Sequence, residues 1–171
     1  MSMNATIKQF IRQYWMLLLI VLLKMGMQYL VVNPVYELHR DEFLHLDQAR
    51  HLAFGFISVP PFTSLVSCMI FLLGGGVFWV KFFPALFGAL TIVFSWFIVE
   101  ALGGKLPAKL LVSGALLFSA LARINMLLQP NSFDILAWTM IFYLIVKFIQ
   151  TSKPVWLWAL AFAIAAGIYN K

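Results

Sequence analysis

Residues 77–102 have the sequence VFWVKFFPALFGALTIVFSWFIVEAL, an apolar run that only Lys81 and Glu100 interrupt with charge. A helix that crosses a bilayer needs about 20 predominantly apolar residues, so this run is long enough for a complete span. It lacks the alternation of polar and apolar residues that is typical of strands in outer-membrane barrels. The stretch therefore predicts a transmembrane helix.

The composition of the whole chain agrees with this prediction. Of its 171 residues, 63% are hydrophobic and 11% are charged, whereas soluble domains average about 45–50% apolar and about 25% charged residues. A soluble globular fold is therefore excluded. The single cysteine, Cys68, also excludes a fold held together by internal disulfides.

We predict an all-α integral membrane protein, a polytopic helical bundle with about five spans and one large outer loop that carries interfacial helices. The predicted spans cover residues 14–32, 77–102, 108–128, 133–149 and 155–169. The outer loop covers residues 33–76 and includes an apolar stretch at 62–73 that is too short to cross the membrane. This stretch is expected to lie in the interface as a helix.

Basic residues predict the orientation, because cytoplasmic segments of membrane proteins collect Lys and Arg. They occur at the N-terminus and beside the turns that follow the second and fourth predicted spans: Lys8, Arg12, Lys105, Lys109, Lys147 and Lys153. The N-terminus is therefore predicted to be cytoplasmic and the loop 33–76 to lie on the outer face. The net charge of +6 follows from this topology and does not indicate nucleic-acid binding.

The outer loop holds four of the six acidic residues and all three histidines, which makes it the candidate site. Its sequence predicts an amphipathic helix, with Leu46, Ala49, Leu52, Ala53 and Phe56 on one side and Asp41, Asp47, Gln48 and His51 on the other. Asp41 lies at the start of this helix, where the helix dipole favours a carboxylate. A simple helix cap is the structural interpretation of Asp41.

Several charged residues lie within or beside predicted spans. An acidic residue such as Asp134 costs up to about 3 kcal/mol if it faces lipid, so it is expected to face the bundle or an aqueous cavity, or to cap its helix. Arg123 and Lys81 are the matching cations. Each of them can also extend its head group to the interface. Lys24 lies inside the first span. Its ammonium group either extends to the interface or has a buried partner.

An ordered series of short motifs resembles the polyprenol-dependent glycosyltransferases of the GT-C superfamily. The series is Arg40-Asp41-Glu42, His51-Leu52, Gly55-Phe56, Pro60-Pro61-Phe62, Lys81-Phe82-Phe83-Pro84-Ala85-Leu86, Gln129-Pro130, Phe133-Asp134 and Asn170-Lys171. Within the superfamily, it is most similar to the protein O-mannosyltransferase-like group, family 39, which includes the lipid A aminoarabinose transferases. The resemblance extends over nearly the whole chain.

The resemblance implies transfer of a sugar from a polyprenyl-phosphate donor to an acceptor hydroxyl or lipid at the outer membrane face. It implies that Asp41 is the general base that accepts the proton of the acceptor hydroxyl, and that Glu42 and Asp134 orient the acceptor or sugar. Arg123, Lys81 and Lys171 are the expected cations for the donor phosphate. Arg40, His51, Pro60 and Pro61 are the expected loop residues around the acceptor.

Two departures from the family accompany this resemblance. Some relatives have a basic residue before the Pro-Pro pair, where this chain has Val59. The family enzymes are also several times longer, so we expect residues 1–171 to be the N-terminal transmembrane module of such an enzyme. The expected location is the inner (plasma) membrane of a bacterium, in contact with membrane lipid.

The residues leave two further points open. Histidines and carboxylates in the outer loop permit a divalent metal site, but their spacing does not specify one. The alternative function is that of a non-catalytic membrane scaffold or transporter subunit, in which Lys24, Arg123 and Asp134 form buried pairs. The identities of the sugar and the acceptor are not encoded in any motif of the chain.

Overall fold

The computed structural model describes residues 3–31 and 38–171, including the side chains of all but residues 3–7 and 10. This part of the chain is helical and contains no strand, which confirms the predicted fold class. The helices are α1 (Met3–Val31), α2 (Arg40–Arg50), α3 (Phe62–Leu72), α4 (Val77–Ala101), α5 (Leu106–Leu117), α6 (Leu121–Ile124), α7 (Pro130–Thr151) and α8 (Pro154–Ile168).

Helix α4 is the centre of the bundle and packs against α1, α5 and α7, while α8 packs against α7 and α2 against α3. Contacts at both ends of α4 show that α1 runs antiparallel to it. Near the start of α4, the Tyr29 hydroxyl donates to the carbonyl of Phe78 at 3.2 Å. Near its end, the Tyr14 hydroxyl donates to Glu100 at 3.3 Å. The end of the bundle at which α4 begins is called the α2 end, because Glu42 of α2 bonds to Lys81 there, and the other is called the opposite end.

Within the described residues, three helices are long and apolar enough to cross a membrane: Ile11–Val31, Val77–Ala101 and Pro130–Thr151. They correspond to the first, second and fourth predicted spans. The predicted fifth span is a shorter apolar helix, Pro154–Ile168. The number of crossings stays a prediction, and the predicted boundary between the first span and the outer loop lies outside the described residues.

The third predicted span, 108–128, is not one continuous helix. Helix α5 ends at Leu117, and the one-turn helix α6 follows after a break. In this break the Ser119 hydroxyl donates to the carbonyl of Leu116 at 2.9 Å and accepts from the N–H of Leu121 at 3.2 Å. Serine competes in this way for the backbone groups that would otherwise continue a helix.

The outer loop forms the expected short helices, but the prediction for α2 was wrong at Gln48 and in the length of the helix. Gln48, assigned to the solvent side, is buried together with Glu42 and His45. Leu52, Ala53 and Phe56 lie beyond the C-terminus of α2. The buried face is polar because its partners on other elements are polar: the Ser64 hydroxyl of α3 donates to Gln48 at 2.9 Å.

Candidate functional site

The start of α2 is fixed by a reciprocal pair of hydrogen bonds. His39 is the N-cap residue, and its Nδ1 accepts from the N–H of Asp41 at 3.3 Å. The N–H of His39 in turn donates to Glu42 Oε2 at 2.8 Å. Such mutual bonds satisfy backbone donors that a helix start leaves unpaired. The N-cap is therefore His39, so the structural interpretation of Asp41 as the cap was wrong, and both carboxylates lie in the first turn.

Glu42 is fully buried and its carboxylate is saturated with hydrogen bonds. Lys81 Nζ donates to both of its oxygens at 2.7 Å, and the backbone N–H of Leu128 donates to Oε1 at 3.0 Å. The side chain of Glu42 is 0% exposed and that of Lys81 is 11% exposed. Glu42 therefore ties α2 to α4 and to the segment before α7, and the charge of Lys81 is matched by a carboxylate.

Asp41, the next residue on the helix, is in a different environment. Its side chain is 32% exposed. Gln129 Nε2 donates to its Oδ2 at 2.6 Å, and Arg40 Nε lies 3.3 Å from its Oδ1. A carboxylate that is oriented by an amide and still open to a cavity can accept a proton from a bound hydroxyl.

Asp41 lines a cavity of about 540 Å³, here called the polar cavity, which is also lined by Gln129, Asn131, Asn170 and Lys171. Lys171 Nζ donates to Asn131 Oδ1 at 3.1 Å and lies 3.9 Å from Asp134 Oδ2. Asp134 is therefore next to Lys171 but does not itself line the polar cavity. It is not the cap of its helix, because Gln129 has the N-cap position of α7.

A second cavity, of about 690 Å³ and here called the apolar cavity, lies between α1, the end of α5 and the segment 119–127. Arg123 lines it, as does His39, whose Nδ1 is 3.7 Å from Asp41 Oδ2. The two cavities therefore meet at His39 and Asp41. Of the predicted site residues, the structure brings Asp41, Pro60 and Lys171 to the polar cavity and Arg123 to the apolar one.

The other loop residues have mainly structural positions. Arg40 is exposed beside Asp41, His51 caps the C-terminus of α2, and Pro61 is buried at the N-cap of α3. Pro60 lines the polar cavity.

Sequence reasoning missed two residues of this site. His45 is buried at the wall of the polar cavity. Burial lowers its pKa from the ordinary 6.5, against opposing effects of a hydrogen bond with Gln48 and of the Asp41 charge. Gln129, which holds Asp41, was also not a candidate. The sequence signal that could have identified Gln129 was its position just before Pro130, at the same predicted outer end as Asp134.

Two predicted arrangements can be compared with the described part of the chain. It contains no group of three or more His, Cys, Asp or Glu side chains that could hold a metal ion. The buried pairs expected for the scaffold or transporter alternative are absent from residues 3–31 and 38–171: Lys24 bonds to the neutral Gln28 at 2.7 Å, and Asp134 faces the partly exposed Lys171.

Comparison with family models gives a match over residues 58–171, more than half of the chain, to the dolichyl-phosphate-mannose-protein mannosyltransferase family. The chain belongs to this family. Comparisons with curated proteins and with solved structures gave no match. The mannosyltransferase family consists of membrane glycosyltransferases of the GT-C type, which act on lipid-linked sugar donors, so the resemblance is confirmed at that level.

The region matched to the mannosyltransferase family contains Lys81, Arg123, Gln129, Asp134 and Lys171. Helix α2, with Asp41 and Glu42, precedes it. The link between α2 and the matched region is therefore structural and depends on the bonds of Glu42 to Lys81 and Leu128 and of Gln129 to Asp41.

Proposed function

We propose that this protein transfers a sugar from a polyprenyl-phosphate donor to an acceptor hydroxyl, with Asp41 as the general base. The observation that carries the proposal is the position of Asp41 between a cationic apolar cavity and a polar cavity. A lipid-phosphate donor has an apolar chain and an anionic head, which match the apolar cavity with its Arg123. The polar cavity offers amides and Lys171 to hydroxyl-bearing groups.

In the proposed reaction, the acceptor oxygen forms a bond to the anomeric carbon of the sugar as the bond from that carbon to the phosphate oxygen breaks. The acceptor proton passes to Asp41, and the electron pair of the broken bond goes to the phosphate. Arg123, an exposed cation in the wall of the apolar cavity, stabilises the charge that develops there. Lys171 assists from the polar cavity, with Asp134 orienting its ammonium group.

Glu42 and Lys81 have a supporting role in this proposal. Because they neutralise each other in a buried pair, we assign them to positioning the first turn of α2, and thus the Asp41 carboxylate, in place of direct contact with sugar or phosphate. Pro60, which lines the polar cavity, and Arg40, which is exposed beside Asp41, border the acceptor.

We further propose that the α2 end lies on the outer face of a bacterial inner membrane and that the donor is an undecaprenyl phosphosugar. The basic residues Lys105, Lys109, Lys147 and Lys153 lie near helix termini at the opposite end, which the positive-inside rule assigns to the cytoplasm. Labelling of a cysteine introduced at exposed Ser58 by a membrane-impermeant maleimide in intact cells tests this orientation, in a background with Cys68 replaced by Ala.

The test of the proposed base is Asp41→Asn in the full-length protein, assayed in membranes for sugar transfer from polyprenyl phosphosugars, with mannose as the first sugar. We expect a fall in turnover of about 10²–10⁴-fold, the usual contribution of a positioned general base. The matched control is Asp47→Asn, which removes a carboxylate from the exposed face of α2 and should leave transfer unchanged. Undiminished transfer by Asp41→Asn at equal membrane abundance contradicts the assignment.

A further inference from the structure

Lys24 is a buried cation that has no carboxylate partner among the described residues. Its side chain is 3% exposed, and among the described residues it forms no ion pair. Its ammonium donates to the neutral Gln28 at 2.7 Å. Lys24 lies seven residues before the end of α1, about 10 Å along the helix axis. An isolated charge at such a position is costly, so it indicates a function.

The packing of α1 against α4 shows that Lys24 points into the bundle and does not extend along the lipid surface. A Cβ atom built onto Gly88 of α4 would lie 2.9 Å from Lys24 Cε and 2.1 Å from Asn125 Nδ2. The missing side chain at Gly88 therefore creates the space in which the lysine stem lies. Lys24 of α1 and Asn125 therefore both approach α4 at Gly88.

The same lysine lines the apolar cavity. Gln28, one turn further along α1, lines it too, and the buried Nε2 atom of Gln28 has no hydrogen-bond partner in residues 3–31 and 38–171. Arg123 lies in the wall of this cavity, and none of the described residues that line it is a carboxylate. Within the described residues, the cavity thus combines the buried Lys24, the exposed Arg123 and the amide of Gln28 with an otherwise mainly apolar lining and no carboxylate.

We propose that Lys24 and Arg123 form a two-cation site that is selective for a lipid phosphate monoester over a phosphodiester. This inference rests on the proposed function, in which the donor is a phosphodiester and the leaving lipid is a phosphate monoester. A diester phosphate carries one negative charge, whereas a monoester carries about −1.5 to −2 at pH 7. Charges interact more strongly in a low-dielectric cavity than in water, so the second cation matches the charge that appears as the sugar leaves.

The chemistry of transfer makes this selectivity useful. The bond between the anomeric carbon and the phosphate oxygen breaks, and its electron pair stays on the phosphate. Interactions that are stronger with the departing monoester than with the bound diester lower the barrier, while uniform binding would not. Lys24 thereby acts on the leaving group, a role separate from that of Asp41 on the acceptor proton.

The experiment measures the affinity of the full-length protein in nanodiscs for two probes with the same chain, a polyprenyl phosphate monoester and its methyl phosphodiester. We expect wild-type protein to bind the monoester at least tenfold more tightly. Lys24→Met and Lys24→Gln should each lose most of this ratio. Because both affinities are measured on one preparation, the ratio does not depend on the folded fraction.

The matched control is Lys147→Met, which removes a lysine that lies 5.7 Å from the Trp156 ring at the opposite end of the bundle. It should keep the wild-type ratio. An unchanged ratio in both Lys24 variants overturns the proposal, as does wild-type protein that binds neither probe or binds both equally. A Lys24-dependent ratio without sugar transfer by the wild type would support the anion site and contradict the proposed function. Sugar transfer by the wild type without a Lys24-dependent affinity ratio would support the proposed function and contradict the anion site.

Discussion

Two glutamate–lysine pairs lie at opposite ends of α4, and their environments differ. Glu42 and Lys81 are 0% and 11% exposed, and the carboxylate also accepts two backbone N–H groups. Glu100 and Lys109 are 34% and 16% exposed, and Tyr14 donates to the same carboxylate. The buried pair fixes the helix that carries Asp41, whereas the other joins α4 to α5 across a turn. The same type of ion pair therefore has a larger structural role at the α2 end than at the opposite end.

The largest effect is expected from Lys81→Met, which leaves the buried Glu42 carboxylate without its counter-charge. Removing one partner of a buried ion pair costs about 3–5 kcal/mol. Thermal unfolding of the purified protein in detergent should therefore shift markedly to lower temperature, and sugar transfer should fall because α2 loses its attachment to α4.

The double variant Glu42→Gln/Lys81→Met is the control for this prediction. It leaves no buried charge, and the single glutamine oxygen at position 42 can still accept from one of the two N–H groups, that of His39 or that of Leu128. Its unfolding temperature should therefore lie between those of Lys81→Met and the wild type. A double variant as unstable as Lys81→Met would show that packing of the lysine stem, and not the unpaired charge, is responsible.

A much smaller effect is expected from Glu100→Gln. Partly exposed ion pairs contribute about 0–1 kcal/mol because water screens the charges. Lys109 also retains its contact with Trp96, at 5.3 Å from the ring centre. The unfolding temperature should change little in the same assay, and Lys109→Met should behave similarly. A loss as large as that of Lys81→Met would remove the distinction between the two ends.

The smallest effect concerns pH and belongs to the α2 end alone, since all three histidines lie within residues 39–51. Burial lowers the pKa of His45 in the folded protein, so the unfolded chain binds a proton more readily. Stability from this residue is therefore present above about pH 6.5 and decreases as pH falls through that value. Hydrogen exchange at pH 7.5 and 5.5 should show faster opening of α2 at the lower pH, with α5 unchanged.

The variant His45→Gln tests the cause, because it removes the titrating group and keeps a polar side chain. In this variant, hydrogen exchange of the α2 amides should lose most of its pH dependence. Persistence of the full pH effect in this variant would contradict its assignment to His45.

Those parts of the fold that depend on composition were predictable from the sequence. The second predicted span, 77–102, agrees with α4 to within one residue, because a long apolar run has few alternatives to a membrane helix. The break after Leu117 was not predictable in this way. It depends on one serine hydroxyl within an apolar segment, and apolar periodicity does not register such local competition for backbone groups.

The candidate site, like the fold, was only partly predictable from the sequence. Asp41, Glu42 and Lys171 were candidates because they lie in motifs that resemble those of a known family, and the structure brings Asp41 and Lys171 to one cavity. The pairing of Glu42 with Lys81 was not anticipated, since 39 positions separate them in the chain. The inward polar face of α2 was missed for the same reason. The partners that make burial of Gln48 favourable belong to another helix.

The hydrogen bond from the backbone N–H of Leu128 to Glu42 has a consequence for sequence variation. Every amino acid except proline supplies that N–H, so the bond is compatible with almost any substitution at position 128. In related sequences, positions 42 and 81 should vary together because their charges must match. Position 128 should show no such dependence on position 42, and covariation would therefore detect one anchor of α2 and overlook the other.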